Sequence, residues 1–371
     1  MKKLGFGCMR LPMKAGEKAG MEEVDYKQFK QMIDLFLKEG FNYFDTAHGY
    51  VGGKSEIALR ECLVKRYPRD SYILTDKLTT HFFKKEEEIR PLFEEQLANT
   101  GVQYFDYYLM HAMNHDFYQK YVECHAFEIA RELKEEGRIK HIGISFHDKA
   151  EVLEEILREQ PDVEVVQIQF NYADYDDPVI ESYKCYQVCE KYNKPVIVME
   201  PVKGGVLVNL PEEAKELLSG YNGEASLASY AIRYCASFEK VFMVLSGMSN
   251  REQVQDNISY MKEFKDFNKE EFDMIDRVRE MLKSQDNIAC TTCRYCIDEC
   301  PKSISIPDLF ACYNAKKQYK DWNSDWYYGV YTNGKGKAAD CIKCGKCEIV
   351  CPQHLTIRDY LGEVSRIFDR T

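Results

Sequence analysis

The chain has 371 residues, which is enough for an α/β barrel of about 250 residues and a second domain of about 100. Its formal net charge of -11 is spread without a basic block, which argues against nucleic acid and acidic membrane surfaces as partners. No run reaches the roughly 18 apolar residues of a membrane span, and Arg10 and Pro12 interrupt the first apolar stretch, so we expect a cytoplasmic protein without a membrane partner.

Strand and helix patterns alternate along the first two thirds of the chain. Apolar runs predict strands over 4–8, 41–44, 72–77, 105–110, 141–145, 163–168, 195–199 and 241–245. Helical periodicity predicts helices over 24–38, 55–65, 86–99, 127–136, 149–158, 179–192, 227–235 and 251–261. This alternation implies parallel pairing with right-handed crossovers, and therefore an α/β fold of the (β/α)8 TIM-barrel type. An open doubly wound sheet is the alternative, but it favours a glycine-rich turn after its first strand, and no G-x-G-x-x-G is present.

The composition changes after the last of these helices. Both tryptophans and eight grouped cysteines lie in the final part of the chain. We therefore predict a barrel over residues 1–265, a helical linker over 266–284 and a smaller, helix-rich and cysteine-rich domain over 285–371. The linker belongs to a charged helix expected over 262–285, and a further helix is expected over 308–317.

Four residues that suit acid–base chemistry end or follow three successive predicted strands: Asp45, Tyr50, Lys77 and His111. Positions 45, 77 and 111 are 32 and 34 residues apart (77 − 45 and 111 − 77), close to the roughly 31 residues of one barrel unit, so these side chains should meet at one rim. Carbonyl reduction needs a proton at oxygen while hydride reaches carbon. Because a tyrosine has an ordinary pKa of about 10, we expect Lys77, held by Asp45, to lower the pKa of Tyr50. His111 would orient the carbonyl and stabilise charge on its oxygen.

These residues resemble the pattern of the aldo-keto reductase superfamily, over roughly residues 1–265. The matching segments are Asp45-Thr46-Ala47-His48-Gly49-Tyr50, Lys77, Leu109-Met110-His111, Gly143-Ile144-Ser145, Val166-Gln167-Ile168 and Glu252-Gln253 through Asn257. The resemblance implies a nicotinamide cofactor, usually NADPH, across the C-terminal rim of the barrel, and Tyr50 as the general acid. It also implies a cofactor site that includes Ser145, Gln167, Lys203, Gly247, Ser249, Gln253 and Asn257.

The cofactor site departs from the family pattern. Phe146 stands where an Asn often helps to hold the carboxamide, and Met199 replaces an aromatic residue that often stacks on the nicotinamide. Gln253 stands at the usual position of a cation for the 2′-phosphate. The sequence therefore does not decide between NADP(H) and NAD(H) as the cofactor, and a flavin is a further alternative. The alternative to a cofactor-binding role is that Lys203 and Arg251 are ordinary surface charges.

Eight cysteines form two motifs with the same spacing, C-x2-C-x2-C-x3-C-P. Cysteine motif 1 consists of Cys290, Cys293, Cys296 and Cys300, and cysteine motif 2 consists of Cys341, Cys344, Cys347 and Cys351. This is the bacterial ferredoxin run, in which three thiolates bind one [4Fe–4S] cluster and the cysteine before proline reaches the other cluster. We therefore assign Cys351 to the cluster of motif 1 and Cys300 to the cluster of motif 2. The alternative is that these cysteines bind zinc. A tetrahedral zinc site needs four ligands, however, and does not require three closely spaced cysteines followed by a fourth before proline, repeated twice. We expect Tyr327, Tyr328 and Tyr331 to pack around the second cluster.

Together, the two parts predict an iron–sulfur oxidoreductase of aldo-keto reductase type. It would exchange hydride between NAD(P)H and a small aldehyde or ketone, while two [4Fe–4S] clusters exchange electrons with an external redox protein. Because a hydride carries two electrons and a cubane accepts one, direct coupling requires a mediator such as a flavin, for which no motif is present. The alternatives are a nicotinamide-binding redox sensor or electron-transfer protein with little carbonyl turnover, or clusters that are purely structural.

Overall fold

Eight parallel strands form a closed barrel in the computed structural model, which describes residues 2–14, 23–178, 180–282, 287–290, 294–320, 322–351 and 353–369. The strands are β1 (Leu4–Gly7), β2 (Met13–Lys14), β3 (Glu23–Val24), β4 (Tyr43–Asp45), β5 (Ile73–Leu78), β6 (Phe105–Met113), β7 (Ile139–Phe146), β8 (Val165–Gln169), β9 (Val196–Met199) and β10 (Val241–Gly247). Their order around the barrel is β1-β10-β9-β8-β7-β6-β5-β4, while β2 and β3 form a separate antiparallel pair. This confirms the predicted (β/α)8 architecture, with β1 as the eighth barrel strand.

Helices follow the strands and continue into the C-terminal region. They are α1 (Tyr26–Lys38), α2 (Lys54–Leu59), α3 (Ile89–Thr100), α4 (His115–Glu123), α5 (Ala126–Glu135), α6 (Ala150–Glu159), α7 (Ser182–Lys191), α8 (Glu212–Tyr221), α9 (Leu227–Ala236), α10 (Arg251–Met261), α11 (Lys269–Leu282), α12 (Tyr295–Asp298), α13 (Ile306–Tyr319), α14 (Asn323–Thr332), α15 (Lys346–Ile349) and α16 (Ile357–Phe368). The predicted barrel helices are all present, and α2 continues as a π-helical turn, Arg60–Val64. The sequence did not predict α4 or α8, because each buries only two side chains and so has a thin apolar face.

The charged helix expected over 262–285 begins only at Lys269. The backbone N–H of Glu271 donates to Asn268 Oδ1 at 3.0 Å, and the backbone N–H of Asn268 donates to the carboxylate of Glu271 at 3.0 Å. This reciprocal capping box sets the start of α11. The helix then buries Ile275 and Val278 in the same apolar core as the barrel helices. Within the predicted linker, α11 therefore packs as part of the barrel.

The inside of the barrel is filled by apolar side chains. A cluster of six buried residues lies there: Tyr43, Leu109, Val165, Ile197, Met243 and Leu245. Gly143 on β7 is required by this packing, because a Cβ at that position would lie 2.5 Å from side-chain atoms of both Leu109 and Val165. Burying each large apolar side chain contributes about 1.5–3 kcal/mol. The filled interior therefore holds the strands whose ends carry the predicted site.

The C-terminal region has its own apolar core and also contacts the barrel. This core includes Leu309 and Phe310 of α13. Asp308 Oδ1 lies 3.4 Å from Nζ of the barrel residue Lys149. Tyr319, at the end of α13, lies under Nζ of the barrel residue Lys203, at 4.3 Å from the ring centroid. Charged contacts therefore join α13 to loops at the carboxyl ends of the barrel strands.

Candidate active site and cysteine motifs

The predicted catalytic tetrad of Asp45, Tyr50, Lys77 and His111 meets at one rim of the barrel. Asp45 ends β4, Lys77 lies in β5 and His111 lies in β6, and these three strands are neighbours. Tyr50 lies in the turn after β4, where its backbone N–H donates to the carbonyl of Ala47 at 3.0 Å. Parallel strands that end at the same edge thus place the four side chains together.

Lys77 and Asp45 form a buried ion pair. Lys77 Nζ donates to Asp45 Oδ1 at 2.6 Å and to the carbonyl of Thr46 at 2.7 Å. Burial lowers the pKa of Lys77, but the negative charge of Asp45 and the nearby Tyr50 outweigh it, and the net pKa is raised. Burial also raises the pKa of Asp45, and Lys77 opposes that rise. We assign the pair as charged, because two close acceptors satisfy the ammonium.

The Tyr50 ring lies between Lys77 and His111. Lys77 Nζ is 4.8 Å from the centroid of the Tyr50 ring, and the ring centroids of Tyr50 and His111 are 5.7 Å apart. Burial raises the pKa of Tyr50, and Lys77 only partly offsets that rise. The expected net lowering of this pKa was therefore wrong, because loss of hydration outweighs the attraction of the ammonium.

His111 is held as a neutral imidazole. Burial lowers the pKa of His111 well below its ordinary range, and the Lys77 ammonium adds to the effect. His111 Nδ1 lies 2.7 Å from Thr79 Oγ1, and the backbone N–H of His111 donates to the hydroxyl of Tyr121 at 2.9 Å. If the Thr79 hydroxyl donates to Nδ1, the proton sits on Nε2, where it can reach a substrate oxygen. Thr79 has no motif of its own, and sequence reasoning missed it.

His147 and Trp326 bring the C-terminal region to this rim. His147 directly follows β7, and burial together with the Lys77 charge lowers the pKa of His147 to about 4. The rings of His147 and Trp326 have centroids 6.1 Å apart. His147 Nδ1 and Trp326 Nε1 are both buried without a hydrogen-bond partner in the part of the chain that the structure describes. The sequence carries no signal for either residue.

Ser145 and Gln167 line the same rim on β7 and β8. They are paired in register, and both are buried. Gln167 Nε2 donates to Asp45 Oδ2 at 3.4 Å, while its Oε1 has no hydrogen-bond partner among the described residues. In the described ranges, the side-chain hydrogen bond of Ser145 Oγ is a long 3.9 Å contact with Met199 Sδ. The pair therefore offers an unused acceptor and a nearly free hydroxyl, which suit a carboxamide group.

The loop after β10 is built around the start of α10. Gly247 ends β10 and is exposed. The backbone N–H of Ser249 donates to Gln253 Oε1 at 2.7 Å, and Asn250 caps the helix by accepting from the backbone N–H of Gln253 at 2.8 Å. Arg10, after β1, accepts from Ser249 Oγ through its carbonyl at 3.2 Å. Gln253 is thus engaged with its own loop.

Two other predicted cofactor residues, Asn257 and Lys203, are buried and already bonded. Asn257 Nδ2 donates to Ser246 Oγ at 2.6 Å. Lys203 is 1% exposed, and its Nζ lies 2.5 Å from Oδ1 of the buried Asp174, with the Tyr319 ring on another side. The alternative that Lys203 is a surface charge was wrong, because the C-terminal region covers it. Arg251 is exposed.

The described cysteines of the two motifs group around two separate cavities. One cavity is lined by Cys341, Cys344 and Cys347 of motif 2 and by Cys300 of motif 1. The other is lined by Cys290 and Cys296 of motif 1 and by Cys351 of motif 2. Cys293 lies outside the described residues. In each cavity, the cysteine that precedes a proline comes from the other motif, as the ferredoxin run predicts.

Two further observations concern the surroundings of these cavities. No group of three or more His, Cys, Asp or Glu side chains in the described ranges is placed to hold a single metal ion. The three C-terminal tyrosines, Tyr327, Tyr328 and Tyr331, share one buried apolar cluster with Cys347, although none of them lines the motif 2 cavity as far as the structure describes it. Tyr331 also lies 5.3 Å from Lys149 Nζ, and Tyr328 donates to Asp369 at 2.8 Å. The side chains of α14 pack between the barrel and α16.

The family to which the chain belongs follows from its sequence and fold together. Residues 3–280 match the aldo/keto reductase family, and residues 276–356 match a 4Fe-4S dicluster domain. The first match covers most of the chain, and the closed eight-stranded barrel agrees with it. The chain belongs to the aldo/keto reductase family and carries a ferredoxin-like 4Fe-4S domain after the barrel.

Individual relatives are distant. The 4-dihydromethyl-trisporate dehydrogenase of Mucor mucedo is 34% identical over 112 residues, which cover 29% of this chain and 30% of that protein. The uncharacterized oxidoreductase YqkF of Bacillus subtilis is 24% identical over 286 residues, 69% of this chain and 85% of that protein. The aldo-keto reductase AKR11C1 from Bacillus halodurans in its holo form has a TM-score of 0.61 at 26% identity, covering 74% of this chain and 91% of that one. An aldo-keto reductase from Klebsiella pneumoniae in complex with NADPH has a TM-score of 0.60 at 19% identity over 75% and 90% of the two chains, a likeness of fold alone.

Proposed function

We propose that this chain is an NAD(P)H-dependent reductase of small aldehydes or ketones, and that Tyr50 delivers the proton. The observation that supports the proposal best is the arrangement of the tetrad. Tyr50 lies between the charged Lys77–Asp45 pair and the neutral ring of His111. A reduced nicotinamide, when bound, supplies the hydride. The side chains of this chain then have to orient the carbonyl and give it a proton.

His111 and Tyr50 divide that task. The Nε2–H of a neutral His111 donates to the carbonyl oxygen and holds it beside the Tyr50 hydroxyl. The raised pKa of Tyr50 keeps its proton in place until charge develops on the substrate oxygen. An alkoxide is a stronger base than a phenolate, so the proton then moves from Tyr50 to that oxygen. Lys77 stabilises the phenolate that remains, and Asp45 keeps Lys77 charged.

The barrel rim also suits the carboxamide of a nicotinamide. Gln167 Oε1 can accept from the amide N–H, and Ser145 Oγ can donate to its carbonyl. Phe146, which is buried, offers no third polar contact. Because Gln253 is neutral and bonded to its own loop, we propose no preference between NADPH and NADH.

We also propose two [4Fe–4S] clusters, one in each cysteine cavity, that exchange electrons with an external redox protein. The fit rests on the donor set, since each cavity gathers soft thiolate ligands from both motifs. No disulfide engages the described cysteines. Thiolate ligands persist in a reducing compartment, and we therefore place the protein in the cytoplasm.

The Tyr50→Phe variant tests the proposed reductase. It removes the hydroxyl and leaves the ring and the Lys77–Asp45 pair in place. We expect kcat with small aldehydes to fall by about 10² to 10⁴, with NADPH and NADH binding unchanged in a fluorescence titration. The matched control is Tyr67→Phe, whose hydroxyl donates to Asp34 on the outer surface at 2.5 Å. Equal turnover by wild type and Tyr50→Phe would refute the role of Tyr50, and no turnover by either would favour a nicotinamide-binding sensor.

A further inference from the structure

The most exposed large apolar side chains of the described residues lie inside the cysteine motifs. Ile349 is 85% exposed, Tyr295 63% and Ile342 58%. The short helices α12 and α15, which carry Tyr295 and Ile349, contact each other. Single exposed apolar residues are ordinary, but apolar residues grouped within a polar rim mark an interaction site. These three residues therefore point to a surface that another molecule covers.

Cys344 is the place where the motif 2 cavity reaches the surface. It is exposed, whereas the other described cysteines of the two motifs are buried or partly buried. Cys344 and Ile342 both line the cavity of motif 2. A group held in that cavity therefore comes close to solvent beside Cys344.

Positive charges stand directly beside Cys344 in the chain. Lys343 and Lys346 stand on either side of it in the chain, and both are exposed. The neighbouring carboxylate of Glu348 is already bound by Arg358 at 2.7 Å. Lys343 and Lys346 therefore place two positive charges beside Cys344, while exposed acidic residues nearby include Asp340, before the motif, and Asp298 and Glu299, at the end of the contacting helix α12. We define the Cys344 face by five residues: Ile342, Lys343, Cys344, Lys346 and Ile349.

We propose that the Cys344 face is the docking surface for an acidic one-electron carrier protein. The proposal rests on the proposed cluster in motif 2. One electron passes between that cluster and the redox centre of the carrier, so that one centre is oxidised as the other is reduced. Contacts between electron-transfer proteins are small, commonly below about 1,200 Å², which fits a face of two isoleucines and two lysines. Lysines at its rim attract and orient an acidic partner, while the net negative charge of the chain disfavours other orientations.

Binding to a defined probe tests the docking surface without turnover. The probe is a compact acidic two-[4Fe–4S] ferredoxin, immobilised at low ionic strength, and the analyte is the anaerobically purified full chain. The test variants are Lys343→Glu/Lys346→Glu and Ile349→Ser. The matched control, Lys27→Glu/Lys269→Glu, reverses two exposed lysines on barrel helices. Iron and acid-labile sulfide are measured for every variant, so that loss of a cluster is seen separately from loss of binding.

We expect the wild type and the control to bind the ferredoxin, with affinity that falls as salt is added. The double charge reversal should weaken binding about tenfold or more, and Ile349→Ser should weaken it severalfold. Stopped-flow transfer from the dithionite-reduced chain to the ferredoxin should slow in the same order. Equal binding by the charge-reversed variant would overturn the proposal. Binding to phosphatidylglycerol vesicles in place of the ferredoxin, or a dimer of the chain that Ile349→Ser disperses, would also overturn it.

Discussion

The Asp45→Asn variant tests whether Lys77 is charged beside Tyr50. Asn keeps the shape of Asp45 but removes its negative charge, which lies 2.6 Å from Lys77 Nζ. The side chain of Lys77 is 0% exposed and that of Asp45 is 3% exposed, so water cannot replace the lost partner. Lys77 must then either stay charged without a counter-ion or lose its proton.

The expected loss of stability can be worked out for each of these two states of Lys77. Removing one partner of a buried ion pair typically costs about 3–5 kcal/mol of stability. Losing the proton gives a similar figure, because neutralising a lysine with an ordinary pKa of about 10.4 at pH 7 costs about 5 kcal/mol, at about 1.36 kcal/mol per pH unit. We therefore expect the variant to be about 3–5 kcal/mol less stable than the wild type at pH 7.

The pH dependence separates the two states of Lys77. In the wild type the pKa of Lys77 is raised, so its contribution is present below the unfolded pKa and is lost as pH rises through the native pKa. In Asp45→Asn a neutral native Lys77 binds one proton fewer than the unfolded chain. The stability of the variant should then rise by about 1.36 kcal/mol per pH unit between pH 7 and 9.

The assay is hydrogen exchange read by mass spectrometry in peptides that cover β5, because a chain with two domains need not unfold in one step. It is measured at pH 7, 8 and 9 with intrinsic exchange rates corrected. Asp70→Asn, at an exposed position, is the control. A loss below about 1 kcal/mol with no slope would mean that Asp45 and Lys77 form a neutral hydrogen bond, and the reasoning above would fail.

Two further substitutions test side chains that only the structure revealed. Thr79→Val removes the 2.7 Å contact between Thr79 Oγ1 and His111 Nδ1, and we expect kcat to fall about tenfold or more with nucleotide binding unchanged. Thr80→Val is the control. An unchanged kcat in Thr79→Val would contradict the role of Thr79 in positioning His111. Because burial keeps the pKa of His111 low, the pH profile of kcat/KM should show no titration step from His111 between pH 6 and 8, in the wild type or in Thr79→Val. Trp326→Phe removes an indole N–H that has no hydrogen-bond partner among the residues that the structure describes and that lies beside the rim. We expect KM to rise severalfold for carbonyl substrates that carry a second oxygen acceptor, with kcat nearly unchanged. Trp322→Phe, at an exposed tryptophan, is its control, and equal KM values in the two variants would show that Trp326 does not contact substrate.

The barrel and its tetrad could be predicted because both follow from local repetition. Each strand and helix has its own period, and the nearly constant spacing places Asp45, Lys77 and His111 at equivalent strand ends. The cysteine motifs are likewise complete in the sequence. These features need no knowledge of which distant segments meet.

The contacts between distant segments could not be predicted. Thr79 reaches His111 only because β5 and β6 pair in register, and Trp326 reaches His147 only because α14 packs on the barrel. The burial of Lys203 depends in the same way on Tyr319. The direction of the pKa shift of Tyr50 could not be predicted for the same reason. The sequence identifies Lys77 as its charged neighbour, but it does not show how much hydration Tyr50 loses on burial.

The contact between Trp326 and His147 also changes how cluster loss must be interpreted. If the clusters stabilise the C-terminal region, removing iron disturbs α14 and therefore the rim beside the tetrad, with no electron having passed between the domains. A fall in carbonyl reduction after iron removal is thus expected both for structural clusters and for an electron path. The two cases separate through Trp326→Phe, which changes the rim while the clusters stay in place. If this variant reduces carbonyls as the wild type does and iron removal still abolishes the reaction, the loss does not come from the Trp326 contact alone. The Asp308–Lys149 and Tyr319–Lys203 contacts must then be removed in the same way, and only a loss that none of these variants reproduces favours an electron path between the clusters and the barrel.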